Sequence, residues 1–181
     1  MAEYAILCNF GGKISESSRD AQMILRRMTT LNLPKYIFRT KTEDGKHFIY
    51  DDWRKRYVSL TPEEWVRQHF ARFLVQEKGF PAGRMGNEIS LVQNGRKRRC
   101  DTVVYDKTGR PFVIVEYKAP HVEITQTIFD QIVRYNSVLQ VRYLIISNGI
   151  THYCCEVDYT KHKCIFLKEI PFYTELRQTP P

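Results

Sequence analysis

No apolar run in these 181 residues approaches the roughly 18 that a membrane span needs, so the chain reads as soluble. Its first residues, MAEYAILCNFGGK, lack a basic stretch followed by a long apolar one, which argues against a secretory signal and for a cytoplasmic protein. No Cys-x-x-Cys pair occurs. The five cysteines, Cys8, Cys100, Cys154, Cys155 and Cys164, are odd in number and have no framework spacing, which suits free thiols in a reducing compartment. His152, Cys154, Cys155, His162 and Cys164 lie close in sequence, but strand alternation sends Cys154 and Cys155 to opposite faces, and the spacing matches no standard zinc pattern. There is no G-x-x-x-x-G-K-S/T loop to cradle a nucleotide, no internal repeat and no low-complexity tract, so ATP is not an expected ligand.

What is present suits one globular domain with a sizeable core: 43% of residues are hydrophobic. Lys and Arg number 28 against 20 Asp and Glu, a formal charge of +8, which favours a polyanionic partner, nucleic acid first. Residues 1–30 read as an extension expected to be disordered, 31–173 as the domain, and 174–181 as a loose tail.

YIFRT and HFIY predict a hairpin turning at Asp44-Gly45, with RYVSL as a third short strand. TPEEWVRQHFARFLVQEKGF predicts a helix. Thr61 is its N-cap, Pro62 its first residue, Glu64 completes a capping box, and Gly79 marks the stop. Trp65, Val66, Phe70, Phe73 and Leu74 form its apolar face. EISLVQ, an Asn94-Gly95 turn, CDTVVYD, a KTGR turn and PFVIVEYK read as three consecutive strands. TQTIFDQIVRYNSVLQ reads as a second helix with a capping box at Thr127 and Asp130, and Ile128, Ile132 and Leu139 form its stripe. VRYLIIS, a turn at Asn148-Gly149, ITHYCCEV and KCIFLKE complete an α/β fold with a mixed sheet. The second helix serves as the crossover that sets VIVEYK and VRYLIIS parallel.

One strand carries the chemistry. In VIVEYKAP, Glu116 and Lys118 are two apart, hence on one face, at the end of an otherwise apolar run. Asp101 lies fifteen residues upstream, across the KTGR hairpin, where antiparallel pairing can bring it to Glu116. Two close carboxylates repel unless a cation sits between them. Oxygen-only ligands favour Mg²⁺, which takes one or two protein carboxylates and keeps waters. A lysine beside them can hold or deprotonate a water, or stabilise developing phosphate charge. The plain alternative is an edge-strand ion pair between Glu116 and Lys118. The basic run Arg96, Lys97, Arg98 and Arg99 leads into Asp101 and could track a phosphate backbone. His69 is expected to pack rather than ligate, and His121 is given no role.

Asp101 followed by Glu116-x-Lys118 resembles the PD-(D/E)xK nuclease superfamily. The longer strings LTPEEWVRQHFARFL, NGRKRRCDTVVYD, RPFVIVEYKAP and QIVRYN are similar to the N-terminal endonuclease domain of type I restriction enzyme R subunits, best to its small stand-alone form, over about residues 31–173. The resemblance implies a restriction-endonuclease-like α-β-β-β-α-β core and hydrolysis of DNA phosphodiester bonds. It implies Mg²⁺, with Mn²⁺ able to substitute, held by Asp101, Glu116 and the backbone carbonyl of Tyr117. The family's Q-x-x-x-Y motif is matched by Gln131 and Tyr135, and an acid on the first helix, here Glu64, with Glu88 competing, completes the site. Cys100 stands where the motif has proline, which spares the ligand. The chain ends before any motor could fit, so ATP-driven translocation is not carried over. Sequence-specific cutting would require other restriction-system subunits. RNA stays open as a substrate, and the alternative class is a catalytically silent nuclease fold that binds nucleic acid or a partner.

Overall fold

The computed structural model describes residues 30–176 except Asn94, and the backbone but not the side chain of Tyr135. The expected extension and the end of the tail therefore lie outside the described residues, as does the asparagine of the predicted Asn94-Gly95 turn. Three strands, β1 (Thr40–Glu43), β2 (Lys46–Asp51) and β3 (Arg56–Ser59), form a small antiparallel sheet. Its first turn falls at Asp44 and Gly45, both at positive φ, as the sequence predicts. Helix α1 (Pro62–Gln76) follows. The six-stranded sheet then runs β4 (Met85–Gln93), β5 (Arg96–Tyr105), β6 (Pro111–Tyr117), β7 (Tyr143–Ser147), β8 (His152–Asp158) and β9 (Lys163–Phe166), neighbours in that order. Helix α2 (Gln126–Leu139) joins β6 to β7, and those two strands are parallel while the other pairs are antiparallel. The expected α/β class, mixed sheet and α-β-β-β-α-β order are all present.

Thr61 begins α1 from extended backbone, its hydroxyl accepting the Glu64 N–H at 3.0 Å. The reciprocal arm of the expected capping box does not form, because the Glu64 carboxylate is taken by Arg67 and Gln68. Helix α2 starts two residues before the predicted box: Thr125 is the N-cap, and its carbonyl accepts from Ile128 and Phe129. Thr127 lies inside the helix, and Gln126 rather than Thr127 reaches Asp130. At the other end Gln140 turns left-handed, while the buried Asn136 accepts the Val141 N–H and donates to the Tyr159 hydroxyl.

The sheet has a core on each face. Val66, Phe70, Ala71 and Leu74 of α1 pack on Val104, Val113, Val115, Tyr117, Tyr143, Ile145 and Cys154. Phe129 and Ile132 of α2 pack on Cys100, Val103, Ile114, Leu144, Ile146 and Cys155. Strand β6 is buried from Phe112 to Tyr117, as a central strand covered on both sides must be. Cys154 and Cys155 do fall into opposite cores. Gly149, at positive φ, is met by Leu31 and Val66 so closely that a Cβ would stand 2.6 Å from Leu31. The predicted loose tail is packed as far as Leu176: that side chain is 4% exposed in the first core, and the Phe172 N–H bonds the Glu175 carboxylate. Among the described residues no helix is long and apolar enough to cross a membrane.

Candidate active site

Thr102 pairs with Val115, so one step along the ladder Asp101 stands across from Glu116. There the Asp101 carboxylate continues the pairing in place of backbone: Oδ2 accepts the Tyr117 N–H at 2.9 Å. Strand β6 remains tied to β7, with Lys118 N donating to the Ser147 carbonyl. The Lys118 ammonium donates to Glu116 Oε1 at 2.7 Å. Glu116 itself is buried, and its other oxygen, Oε2, has no hydrogen-bond partner among the described residues.

Burial first, and Asp101 second, push the Glu116 carboxyl up to about 7. Burial also raises Asp101, against the Tyr117 amide that favours its charged form. For Lys118, burial works against the charge, but the Glu116 carboxylate beside it outweighs this, so the amine is held as ammonium. Two carboxyls that resist ionising together, one with an orphaned oxygen, are a place for added positive charge.

Glu63, which the sequence reading passed over, belongs to this group. It starts the first turn of α1, and partial desolvation, then Asp101, raises its carboxyl. Glu64, the predicted acid, is neutralised instead. Arg67 grips it with Nε to Oε2 at 2.9 Å and Nη2 to Oε1 at 2.6 Å, and the same guanidinium bonds the fully buried Asp51. Neighbours on a helix are about 100° apart, so the sequence alone does not tell which of two adjacent acids faces the sheet. The signal for Glu64 was Arg67 at i+3.

Glu88 sits where the β4–β5 ladder is interrupted: Asn87 pairs with Thr102 and Ile89 with Cys100, while Glu88 takes φ of 53°. Its carboxylate meets Arg54 at 3.1 Å and Arg99 at 3.6 Å, so it too is compensated. The interruption changes the phase of β5. Cys100 and Val103, three apart, face the same core, which unbroken alternation forbids. Arg99 consequently lines a cavity of about 80 Å³ together with Asp101, Glu63 and Tyr117.

Among the described residues, no three His, Cys, Asp or Glu side chains stand close enough to hold a metal ion by themselves. The residues nonetheless suit Mg²⁺, which takes one or two carboxylates and keeps several waters. Glu116, with its orphaned Oε2, is close enough to Asp101 for the two charges to oppose each other, and the cavity that Asp101 lines has room for a few waters.

Gln131 is half-buried on α2, beside the buried Ile132 and the partly buried Ile128 and Leu139. Tyr135 follows one turn later, its side chain outside the described residues. His69 packs, as expected: its ring lies 4.0 Å from Trp65 and 4.6 Å from Phe38, Nδ1 bonds the Trp65 carbonyl, and burial pushes its pKa down to about 4. His121 is exposed on a loop. The Cys100 thiol, buried next to Glu116 and Asp101, is pushed up to about 12 and is inert.

No curated protein matches the chain. Among solved structures, a fragment of a putative HsdR subunit of a type I restriction enzyme from Vibrio vulnificus YJ016 resembles it with 21% identity and a TM-score of 0.48. That likeness covers 65% of this chain and 24% of the other, so the chain spans about a quarter of the fragment's length. The family model described as type I restriction enzyme R protein N terminus matches residues 62–171, more than half of the chain, from the first residue of α1 to just past β9. The chain belongs to that family.

Proposed function

We propose that the chain is a Mg²⁺-dependent endonuclease domain that hydrolyses DNA phosphodiester bonds. The observation that carries this reading is the Asp101–Glu116–Lys118 group: two carboxyls across one strand pair, an ammonium 2.7 Å from one of them, and a buried carboxylate oxygen left without a partner. Asp101 and Glu116 would hold the ion with the Tyr117 carbonyl, and Glu63, rather than Glu64, is the acid from α1 positioned to assist. When bound, Mg²⁺ neutralises the phosphate and eases attack by water. Lys118, held as ammonium by Glu116, donates toward the phosphoryl oxygens as they gain negative charge, and orients the attacking water in line with the leaving oxygen. The Tyr117 N–H fixes the Asp101 carboxylate, so the site is oriented before substrate arrives.

Nicking of supercoiled plasmid in Mg²⁺ or Mn²⁺ tests the reading. Wild-type protein is expected to nick. Asp101→Ala, Glu116→Ala and Lys118→Ala are each expected to lose at least about a hundredfold in rate, the usual weight of one positioned charge. Equal nicking by wild type and all three variants rejects it. A folded wild type that binds DNA and never nicks it, alone or with restriction-system subunits, would favour a silent binding module.

A further inference from the structure

The run Arg96 to Arg99 is one basic stretch in sequence but two sites in space. Arg98 pairs with Leu91, and Leu91 belongs to the core beneath α2, as does Cys100. Alternation therefore puts Arg96 and Arg98 on the α2 side of the β4–β5 hairpin and turns Arg99 to the Asp101 cavity on the other. On the α2 side, Arg96 and Arg98 meet Arg134 of the helix around an open groove of about 370 Å³, whose fourth lining residue is Gln93. Gln93 fixes the groove, its amide donating to the Arg134 carbonyl at 2.7 Å and to the Ser137 hydroxyl at 2.9 Å, and it pairs directly with Arg96. Three guanidiniums thus converge from two elements, although like charges repel, and none forms an ion pair among the described residues. Such a fork of donors matches the oxygens of a phosphate.

We propose that this groove holds a backbone phosphate of DNA at a second point of contact, with Arg134 as an anchor. The choice of DNA rests on the nuclease reading; the phosphate site itself does not. Arg98 lies three residues from Asp101, about 10 Å along β5 at the usual strand rise, so the hairpin would be gripped by nucleic acid on both faces. A two-stranded ribbon of this kind is a shape that the major groove admits.

The test is fluorescence anisotropy of a labelled DNA duplex across a salt series in EDTA, where no cleavage chemistry enters. Arg134→Gln is expected to weaken binding about eightfold at 0.1 M salt and to flatten the log–log salt slope by about 0.9, the counterion release of one phosphate contact. Arg96→Gln with Arg98→Gln should flatten it by about 1.8. Lys107→Gln, in the β5–β6 turn at the far end of the strand, is the control for net charge alone and should do neither. Arg134→Gln with unchanged affinity and slope overturns the proposal, as does an equal loss from Lys107→Gln. Tighter, Arg134-dependent binding of an RNA duplex overturns DNA as the occupant. Binding lost in Arg134→Gln, from a wild type that never nicks, leaves the groove standing and the nuclease reading fallen; the reverse result separates them the other way.

Discussion

Asp101 and Glu116 face one another at a cost, since each makes the other's charge harder to hold. Asp101→Asn removes that repulsion yet retains an oxygen to accept the Tyr117 N–H. In EDTA this variant is expected to be more stable than wild type by about 1 kcal/mol in urea unfolding, within the usual gain from relaxing a strained functional site. With Mg²⁺ added, wild type should rise in Tm and the variant should not. A variant less stable than wild type in EDTA would show that the pair is no burden. His69 gives a second effect at this scale. Its folded pKa of about 4 lies below the unfolded value of about 6.5, so the unfolded chain takes the proton first. The neutral ring's contribution is complete above pH 6.5 and is lost as pH falls from there toward 4, by up to about 3 kcal/mol. His69→Phe, which keeps an aromatic ring against Trp65 and Phe38, is expected to flatten the fall in stability across that window; the comparison is urea midpoints of both proteins from pH 7 to pH 4.

At the scale of the element, the two helices start differently, and the difference is measurable. Thr61 uses its hydroxyl to satisfy the Glu64 N–H, whereas Thr125 makes no side-chain cap bond. Thr61→Ala should cost about 1 kcal/mol in chemical unfolding, and Thr125→Ala clearly less. Equal losses would mean that the threonines act by backbone preference alone. The first start was legible because Pro62 fixes the frame: proline is at home at the first helical position, so Thr61 had to be the cap. The second was not, because Thr125 and Thr127 are both good caps, and nothing in the sequence separates them until the helix docks on β6 and β7. The strands were legible for the same kind of reason as α1. The turns at Gly45 and Gly109 need positive φ and close the β1–β2 and β5–β6 hairpins; in the second, a register shift between Val104 and Tyr105 then sets Asp101 opposite Glu116. What stayed hidden is the phase change at Glu88. A glutamate at φ of 53° follows from the ladder interruption, not from any local preference, and it is this that turns Arg99, rather than Arg98, to the Asp101 cavity.

Across the whole molecule, the small sheet is bound to the large one through α1. Arg67, from α1, bonds the fully buried Asp51 at the end of β2 and the Glu64 beside it. Arg72 reaches Asp52 at 2.6 Å and lies over Phe38, whose ring is 5.6 Å from Trp65. No sequence pattern announced this tie, because a buried Arg–Asp pair sixteen residues apart has no periodicity of its own. Arg54 carries it on to the site, joining Asp51 at 3.2 Å and Glu88 at 3.1 Å. The chain should therefore unfold as one unit. Its two tryptophans report on the junction, Trp53 from the turn after β2 and Trp65 from α1, while far-UV circular dichroism reports on all elements. Coincident urea transitions by the two probes are expected for wild type. Arg67→Met leaves the Asp51 carboxylate buried with less compensation and should cost about 3–5 kcal/mol, the range for breaking one side of a buried pair. In that variant the tryptophan signal should change at lower urea than the dichroism, because the small sheet comes away while the two cores under α1 and α2 persist. Separate transitions already in wild type would mean that the small sheet is an appendage, and that Arg54 and Glu88 play no part in holding the site.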